Sequence, residues 1–311
     1  MKYKPNLLAM VCLAFLPAAV PVNAQQLTGS PAEPEPKNPT PLAPLPQLAP
    51  GQSLGIALGI PTVPNLRDVG GYKTRDGATV VRGLAYRSDT FNPMSAEDIK
   101  KLERVELRND YDLRTTAEVK AAPDEMPPGV RYRLLNVLAD EESAAPAELE
   151  ALLHNPKTNI VQVEALFIEV YREFITLPSA KQSYRTLFLS LANQQNLPAV
   201  FHCTTGKDRT GWAAAALLSL LGVPKETVMA DYMLTNDYDL PQFQTTIDGF
   251  VAAGGDRAIP LAVFGVKPEY LNASFDEMQK QYGTIEKYFS DGLGIDAAGQ
   301  KALRDLYLER K

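Results

Sequence analysis

Cysteine is almost missing from this chain. Its 311 residues hold two, Cys12 and Cys203. Cys12 lies in an N-terminal leader that is expected to be removed, so the mature chain can close no internal disulfide. With two histidines in all, no Cys/His cluster of zinc-binding spacing is present. No apolar run is long enough to span a bilayer as a helix. There is no internal repeat and no heptad run, which excludes solenoids and coiled coils. Positive charge is not in excess. Lys and Arg total 31 against 37 Asp and Glu, a net charge of −6. That balance argues against nucleic acid or an anionic membrane as the main partner, and it leaves a local basic pocket open.

The leader has a positive start at Lys2 and Lys4, an apolar stretch from Leu7 to Val20, and the small-residue ending Val22-Asn23-Ala24. This pattern predicts a signal peptide over residues 1–24, cut after Ala24, and a periplasmic or secreted protein with no membrane insertion. Val11 stands before Cys12, where a lipoprotein signal needs a small residue. Residues 25–52 follow, containing "SPAEPEPKNPTPLAPLPQLAP". Proline at this density excludes helix and favours an extended, disordered tether. Residues 53–311 are long enough for one sizeable α/β domain.

Within that domain "NLRDVGGY" reads as a turn-rich opening and "ATVVRGLAYRSD" as a strand pair or a strand with a loop. Ser95 followed by Asp98 predicts a capped helix start. "VELRNDYDLRTTAE" predicts a strand ending near Asp112, and "VRYRLLNV" another strand. Helical patterns dominate from Pro146 to Leu191, where Phe167, Val170, Tyr171 and Phe174 share one face and read as core. "LPAVFH" suits a buried parallel strand, followed by an alanine-rich helix that Gly222 ends, with Pro224 beyond. The last third reads as helices, one starting near Pro268 and one over Ala297 to Arg310. Alternating strands and helices give an α/β fold, a mainly parallel sheet flanked by helices. Residues 236–266 read either as a helical lid with Gly254-Gly255 as its hinge or as an ordinary surface helix and turn.

The informative stretch is "AVFHCTTGKDRTGWAAAALLSLLGVP", from Ala199 to Pro224. A lone cysteine is often just a small buried apolar residue. Here it stands at a strand end, where α/β sheets bind ligands, and just before a helix N-terminus. Successive N–H groups of such a loop can form an anion nest, and the helix dipole adds positive potential. Gly206 lets the backbone bend tightly. Arg209 offers a planar fork that fits two phosphate oxygens. The same field favours a nucleophilic thiolate at Cys203. The loop is not a nucleotide P-loop, because Phe201 and Asp208 stand where that pattern needs glycine and Ser or Thr.

"HCTTGKDRTG" resembles the HCxxGxxR[ST]G signature of cysteine-based protein tyrosine phosphatases. Together with "NLRDVGGY", "YRSD", "DLRTTAE", "DYMLTNDY" and "PEYL", the chain is similar to their bacterial atypical branch, of tyrosine and dual specificity. The likeness runs from about Asn65 to the C-terminus. It implies a tyrosine-phosphatase-like fold and a phosphoprotein substrate, with phosphoinositides as a further class. It also implies that Cys203 forms a phosphocysteine and that Arg209 and the loop N–H groups of Thr204, Thr205, Gly206, Lys207 and Asp208 hold the phosphoryl oxygens. Thr210 would bond the departing sulfur, and His202 would brace the loop. Lys207 would contact a second acidic group of the substrate, or form a solvent-facing pair with Asp208. No metal and no cofactor is needed, since the nest and arginine supply the charge. The general acid falls to Asp112 of "DLR", with Asp140 as the alternative; otherwise Asp112 pairs with Arg114 and Asp140 is a solvated loop charge.

Three other readings compete. An exported cysteine-type inositol-polyphosphate phosphatase, phytase-like, would want a wider and more basic pocket. A rhodanese-type sulfurtransferase lacks this loop pattern. A phosphate-binding pseudoenzyme would not need the thiol. Without a second mature cysteine, oxidised Cys203 would depend on an external reductant.

Overall fold

In the computed structural model, Gly55 and residues 57–140, 145–155 and 157–310 are described. The leader and the tether lie outside them. Five short strands form the central sheet: β1 (Arg67–Asp68), β3 (Ala85–Ser88), β4 (Asn109–Asp112), β5 (Arg131–Leu134) and β6 (Ala199–His202). Their order is β1-β3-β6-β4-β5, with β1 antiparallel to β3 and all other pairs parallel. This is the mainly parallel α/β architecture that the alternating pattern predicts.

The central strand β6 is covered on both faces. Val200 enters a smaller apolar cluster with Leu102 and Leu107, while Ala199 and Phe201 enter the larger one. All four of its residues are buried, which is why "AVFH" shows no polar alternation. Helix α1 (Ala96–Glu103) supplies Leu102 to the smaller cluster. Ser95 caps it by accepting from the Asp98 N–H at 3.1 Å. The Asp98 carboxylate does not return to the cap; it accepts from Lys101 and Thr62 instead.

The next helices are α2 (Thr116–Ala121), α3 (Ala145–His154), α4 (Ile160–Thr176) and α5 (Pro178–Leu191). On α4, Phe167, Tyr171 and Phe174 are buried as the spacing predicts. Helix α6 (Arg209–Leu220) follows β6 and is buried at every residue except Ser219. An alanine-rich helix that is apolar all round suits such an interior place. It ends at Gly222, whose φ of +88° is the left-handed conformation of a glycine stop.

The C-terminal third is helical, as expected: α7 (Lys225–Met233), α8 (Thr235–Asp239), α9 (Gln244–Ala252), α10 (Ala258–Phe264), α11 (Pro268–Tyr282) and α12 (Ala297–Tyr307). Two details differ from the sequence reading. "NLRDVGGY" contains β1, because its Arg67 and Asp68 register against Arg87 and Tyr86. The chain does not stay helical to Arg310; β7 (Leu308–Glu309) leaves α12 and pairs with β2 (Thr79–Val80), so β2 is not the partner of β3.

Candidate active site

The register of the sheet builds the site. Ser88, His202 and Asp112 stand side by side on β3, β6 and β4. The residues that follow, Asp89, Cys203 and Leu113, therefore leave the same carboxyl edge together. Cys203 is buried, 1% exposed.

From Cys203 to Arg209 the loop turns its carbonyls outward, and nearly all are taken. His202 Nδ1 donates to the Cys203 carbonyl at 3.0 Å. The Thr90 N–H donates to Thr204 at 3.1 Å, Asn65 to Thr205 at 3.2 Å, and Arg87 to Gly206 at 2.9 Å. Trp212 N–H binds the Asp208 carbonyl and the Tyr184 hydroxyl binds that of Arg209. Among the described residues, the N–H groups of Thr204 to Asp208 donate to no acceptor. With the carbonyls pinned outside, these donors form the nest that an anion would fill. Gly206 makes the turn possible: its φ is +67°, and a Cβ there would lie 2.4 Å from the Ser88 carbonyl oxygen.

Arg209 opens helix α6 and is 1% exposed. Its two terminal nitrogens donate to the Glu118 carboxylate at 2.8 Å each. Its Nε is buried without a partner among the described residues, so one donor is left free for an acceptor. Glu118 closes the capping box of α2 with Thr115 and also accepts from the Thr204 hydroxyl. Burial works against its charge, but Arg209 overrides it and draws the Glu118 carboxyl down to about 2. Sequence reasoning missed this residue. Thr115 and Glu118 at capping-box spacing were the available signal.

A second ion cluster supports the loop from outside. Asp231 of α7 binds Arg67 and Arg87, each at 2.7 Å, and Arg87 is the residue that holds the Gly206 carbonyl. Asn65 bridges Thr205 to Asp239 at the end of α8. Thr210 is fully buried, and among the described residues its hydroxyl has no partner, the Cys203 sulfur included.

Lys207 and Asp208 form a pair at 2.8 Å, but it does not face solvent. Both are buried; Lys207 lies 4.6 Å above the Phe167 ring, and Asp208 accepts from the Tyr171 hydroxyl at 2.8 Å. The aromatic face of α4 is thus core along its length and a support for the loop at its edge.

Neither carboxylate predicted as the acid reaches the cleft. Asp112 is fully buried; both its oxygens bind Arg114, and Tyr132 donates to it at 3.0 Å. Asp140 accepts from the Ser179 N–H at 2.7 Å, at the first turn of α5. Neither is among the residues that line the cleft above the loop; Asp112 is held by Arg114 and Asp140 by Ser179.

Behind the loop, His202 Nε2 lies 3.1 Å from Asp110 and 3.4 Å from Asp124, charge contacts rather than aligned hydrogen bonds. Burial opposes a charge on the imidazole, but Asp110, Asp124 and Asp112 outweigh it and hold His202 well above its ordinary value. These three side chains, Asp110, Asp124 and His202, are also the described group whose donor atoms could gather round a metal ion. Their place behind the Cys203 carbonyl makes them a brace for the loop.

Above the loop opens a cleft of about 410 Å³, lined by Thr204, Thr205, Glu118, Asp89, Asp239 and Phe243 among others. A buried cysteine and guanidinium, an N–H nest and a cleft touching the loop at Thr204 and Thr205 form an arrangement that could bind a phosphate ester.

The sequence profile of the tyrosine phosphatase family matches residues 58–309. A protein of Cupriavidus necator named "putative tyrosine-protein phosphatase" is 31% identical over 254 residues, covering 81% of this chain and 88% of that protein. The triple specificity protein phosphatase PtpB of Mycobacterium tuberculosis is 28% identical over 279 residues, covering 80% and 98%. A tyrosine-protein phosphatase of Nostoc commune is 27% identical over 164 residues, about half of each chain. With the matched region spanning the sheet, the loop and the C-terminal helices, this chain belongs to the tyrosine phosphatase family.

Proposed function

We propose that this chain hydrolyses phosphomonoesters on proteins, phosphotyrosine among them, through a phosphocysteine on Cys203. One observation carries the reading. In the loop from Cys203 to Arg209 the carbonyls of Thr204, Thr205 and Gly206 are bound, while among the described residues the N–H groups of Thr204 to Asp208 meet no acceptor. Such a nest selects a tetrahedral dianion.

The Cys203 thiolate attacks phosphorus, and the P–S bond forms as the bond to the leaving oxygen breaks. The loop N–H groups and the Arg209 Nε hold the three remaining oxygens as charge shifts onto them. Glu118 keeps the guanidinium oriented. Departure of the leaving oxygen requires a proton from a group in the cleft. Water then cleaves the P–S bond, and the buried Thr210 hydroxyl, unpartnered among the described residues, meets the returning sulfur.

The substrate class follows from charge. Arg67, Arg87, Arg209, Lys207 and Arg114 each already hold a carboxylate partner. Asp89 and Asp239 add acid to the cleft wall. This supports a monophosphorylated protein side chain over a polyphosphorylated inositol. Lys207 is tied to Asp208, so phosphoinositide turnover is the weaker part of the reading. Residues 236–266 are inferred to cover the cleft, since Asp239, Gln242 and Phe243 line it. The leader and tether support export to the periplasm or beyond; cell fractionation with an Ala24 cleavage check tests that. No helix among the described residues is long and apolar enough to cross a membrane.

The test is phosphate release from phosphotyrosine, phosphoserine and phosphothreonine peptides, phosphoinositides and phytate, by the mature protein and by Cys203→Ser. Phosphopeptides as the preferred substrates, with loss in the variant, support the reading. Phytate as the preferred substrate overturns it.

A further inference from the structure

We propose that Asp89 and Asp239 together form the acid–base group of the cleft, giving the leaving oxygen its proton and then taking one from the attacking water. This rests on the phosphocysteine reading above and draws on carboxylates that line the cleft, which Asp112 and Asp140 do not.

Position is the first argument. Asp89 follows β3 as Cys203 follows β6, and the two strands are paired up to Ser88 and His202. A Cβ on Gly206 would lie 2.7 Å from the Asp89 main-chain nitrogen, so Asp89 leaves the sheet directly against the phosphate loop. Asp239 reaches the same rim from α8. One Asn65 amide nitrogen donates to Asp239 at 3.1 Å and to the Thr205 carbonyl at 3.2 Å. Both carboxylates line the cleft with Thr204 and Thr205.

Charge is the second argument. The carboxylates already described each have a committed partner: Glu118 holds Arg209, Asp231 holds Arg67 and Arg87, Asp208 holds Lys207, and Asp112 holds Arg114. The cations that face the pair are these same ones. Arg67, Arg87 and Lys207 act on Asp239, and His202, itself held by Asp110 and Asp124, acts on Asp89. No salt bridge reaches Asp89 or Asp239 among the described residues. Asp89 accepts a long 3.3 Å bond from Ser88, and Asp239 accepts from Asn65 and, at 3.5 Å, from Gln242.

Two buried carboxylates without a counter-ion of their own cannot both ionise at low cost. Burial pushes Asp89 up to about 7, and burial together with the Asp89 charge pushes Asp239 well above its ordinary value. The pair therefore holds a proton near neutral pH, where a general acid has to hold one. The step balances. As the P–O bond breaks, the leaving oxygen takes the proton of Asp89, while Asp239, held well above its ordinary value, keeps its own. In the second half, water attacks phosphorus, its proton returns to the pair, and the P–S electrons return to Cys203.

The experiment measures kcat/KM, which reports formation of the phosphocysteine, for the mature protein and for Asp89→Asn and Asp239→Asn. The substrates are a phosphotyrosine peptide, phenyl phosphate and 4-nitrophenyl phosphate. Nitrophenolate departs without a proton; the other two leaving groups need one. The proposal predicts a fall of roughly 10²-fold on the phosphotyrosine peptide and phenyl phosphate in at least one variant, and under tenfold on 4-nitrophenyl phosphate. It also predicts that the wild-type decline in kcat/KM above about pH 7 disappears in Asp89→Asn. Equal losses on all three substrates, or no loss, would overturn it. A misfolded variant would also lose 4-nitrophenyl phosphate turnover, so the unequal pattern cannot come from unfolding. Wild-type protein that turns over none of the three would instead sink the phosphatase reading itself.

Discussion

Glu118 holds Arg209 by two parallel bonds of 2.8 Å, across 91 positions of sequence. A guanidinium with five donors and many rotamers is thereby fixed in one plane, with its Nε left over. Glu118→Gln keeps the shape and removes the charge. kcat/KM on phosphotyrosine peptides should fall on the order of 10²-fold, as for other losses of transition-state positioning. Steady-state kinetics check it; unchanged kinetics would mean that Arg209 is placed without this partner.

The same pair makes a pH prediction. Glu118 is drawn down to about 2, below the usual carboxylate range, so the folded state holds it ionised where the unfolded chain would protonate it. Its contribution is fully present above the unfolded value of about 4.5 and is lost as pH falls toward 2. Urea unfolding from pH 5 down to pH 2.5 should show wild type losing about 2 kcal/mol more than Glu118→Gln. Parallel curves would refute the linkage.

Gly206→Ala tests the turn. With φ at +67° and backbone within 2.4 Å of the added carbon, the loop has to shift. Stability should fall by about 1–3 kcal/mol, and activity should fall further than stability explains. Chemical denaturation and kcat measured on the same sample separate the two.

Asp231→Ala should be the most damaging change away from the cleft. It would leave Arg67 and Arg87 buried without a counter-charge. Breaking a buried ion cluster this way costs about 3–5 kcal/mol, visible as a lower urea midpoint. A loss under about 1 kcal/mol would mean that water or a rearrangement replaces the carboxylate.

The sequence makes the chemistry of the loop legible because its parts are local: Cys203, Gly206 and Arg209 lie within one turn between a strand and a helix. The strand β6, the glycine stop at Gly222 and the core face of α4 are legible for the same reason, since periodicity and turn chemistry act over a few residues. What holds the loop is not local. Asp231 meets Arg67 and Arg87 across 164 and 144 positions. Tyr171, correctly read as core from its spacing, also bonds Asp208 across 37 positions. For Asp112, the place at a strand end is visible in sequence and the side-chain direction is not. It shares one strand face with Asp110, both toward His202, where Arg114 captures it.

The most direct measurement is phosphate release from a phosphotyrosine peptide by the mature protein and by Cys203→Ser, with chelator present. The account predicts turnover by the wild type, trapping of a phosphorylated cysteine on acid quench, and at least a 10³-fold loss in the serine variant. Turnover that survives Cys203→Ser, or a wild type that binds phosphate and releases none, would contradict it.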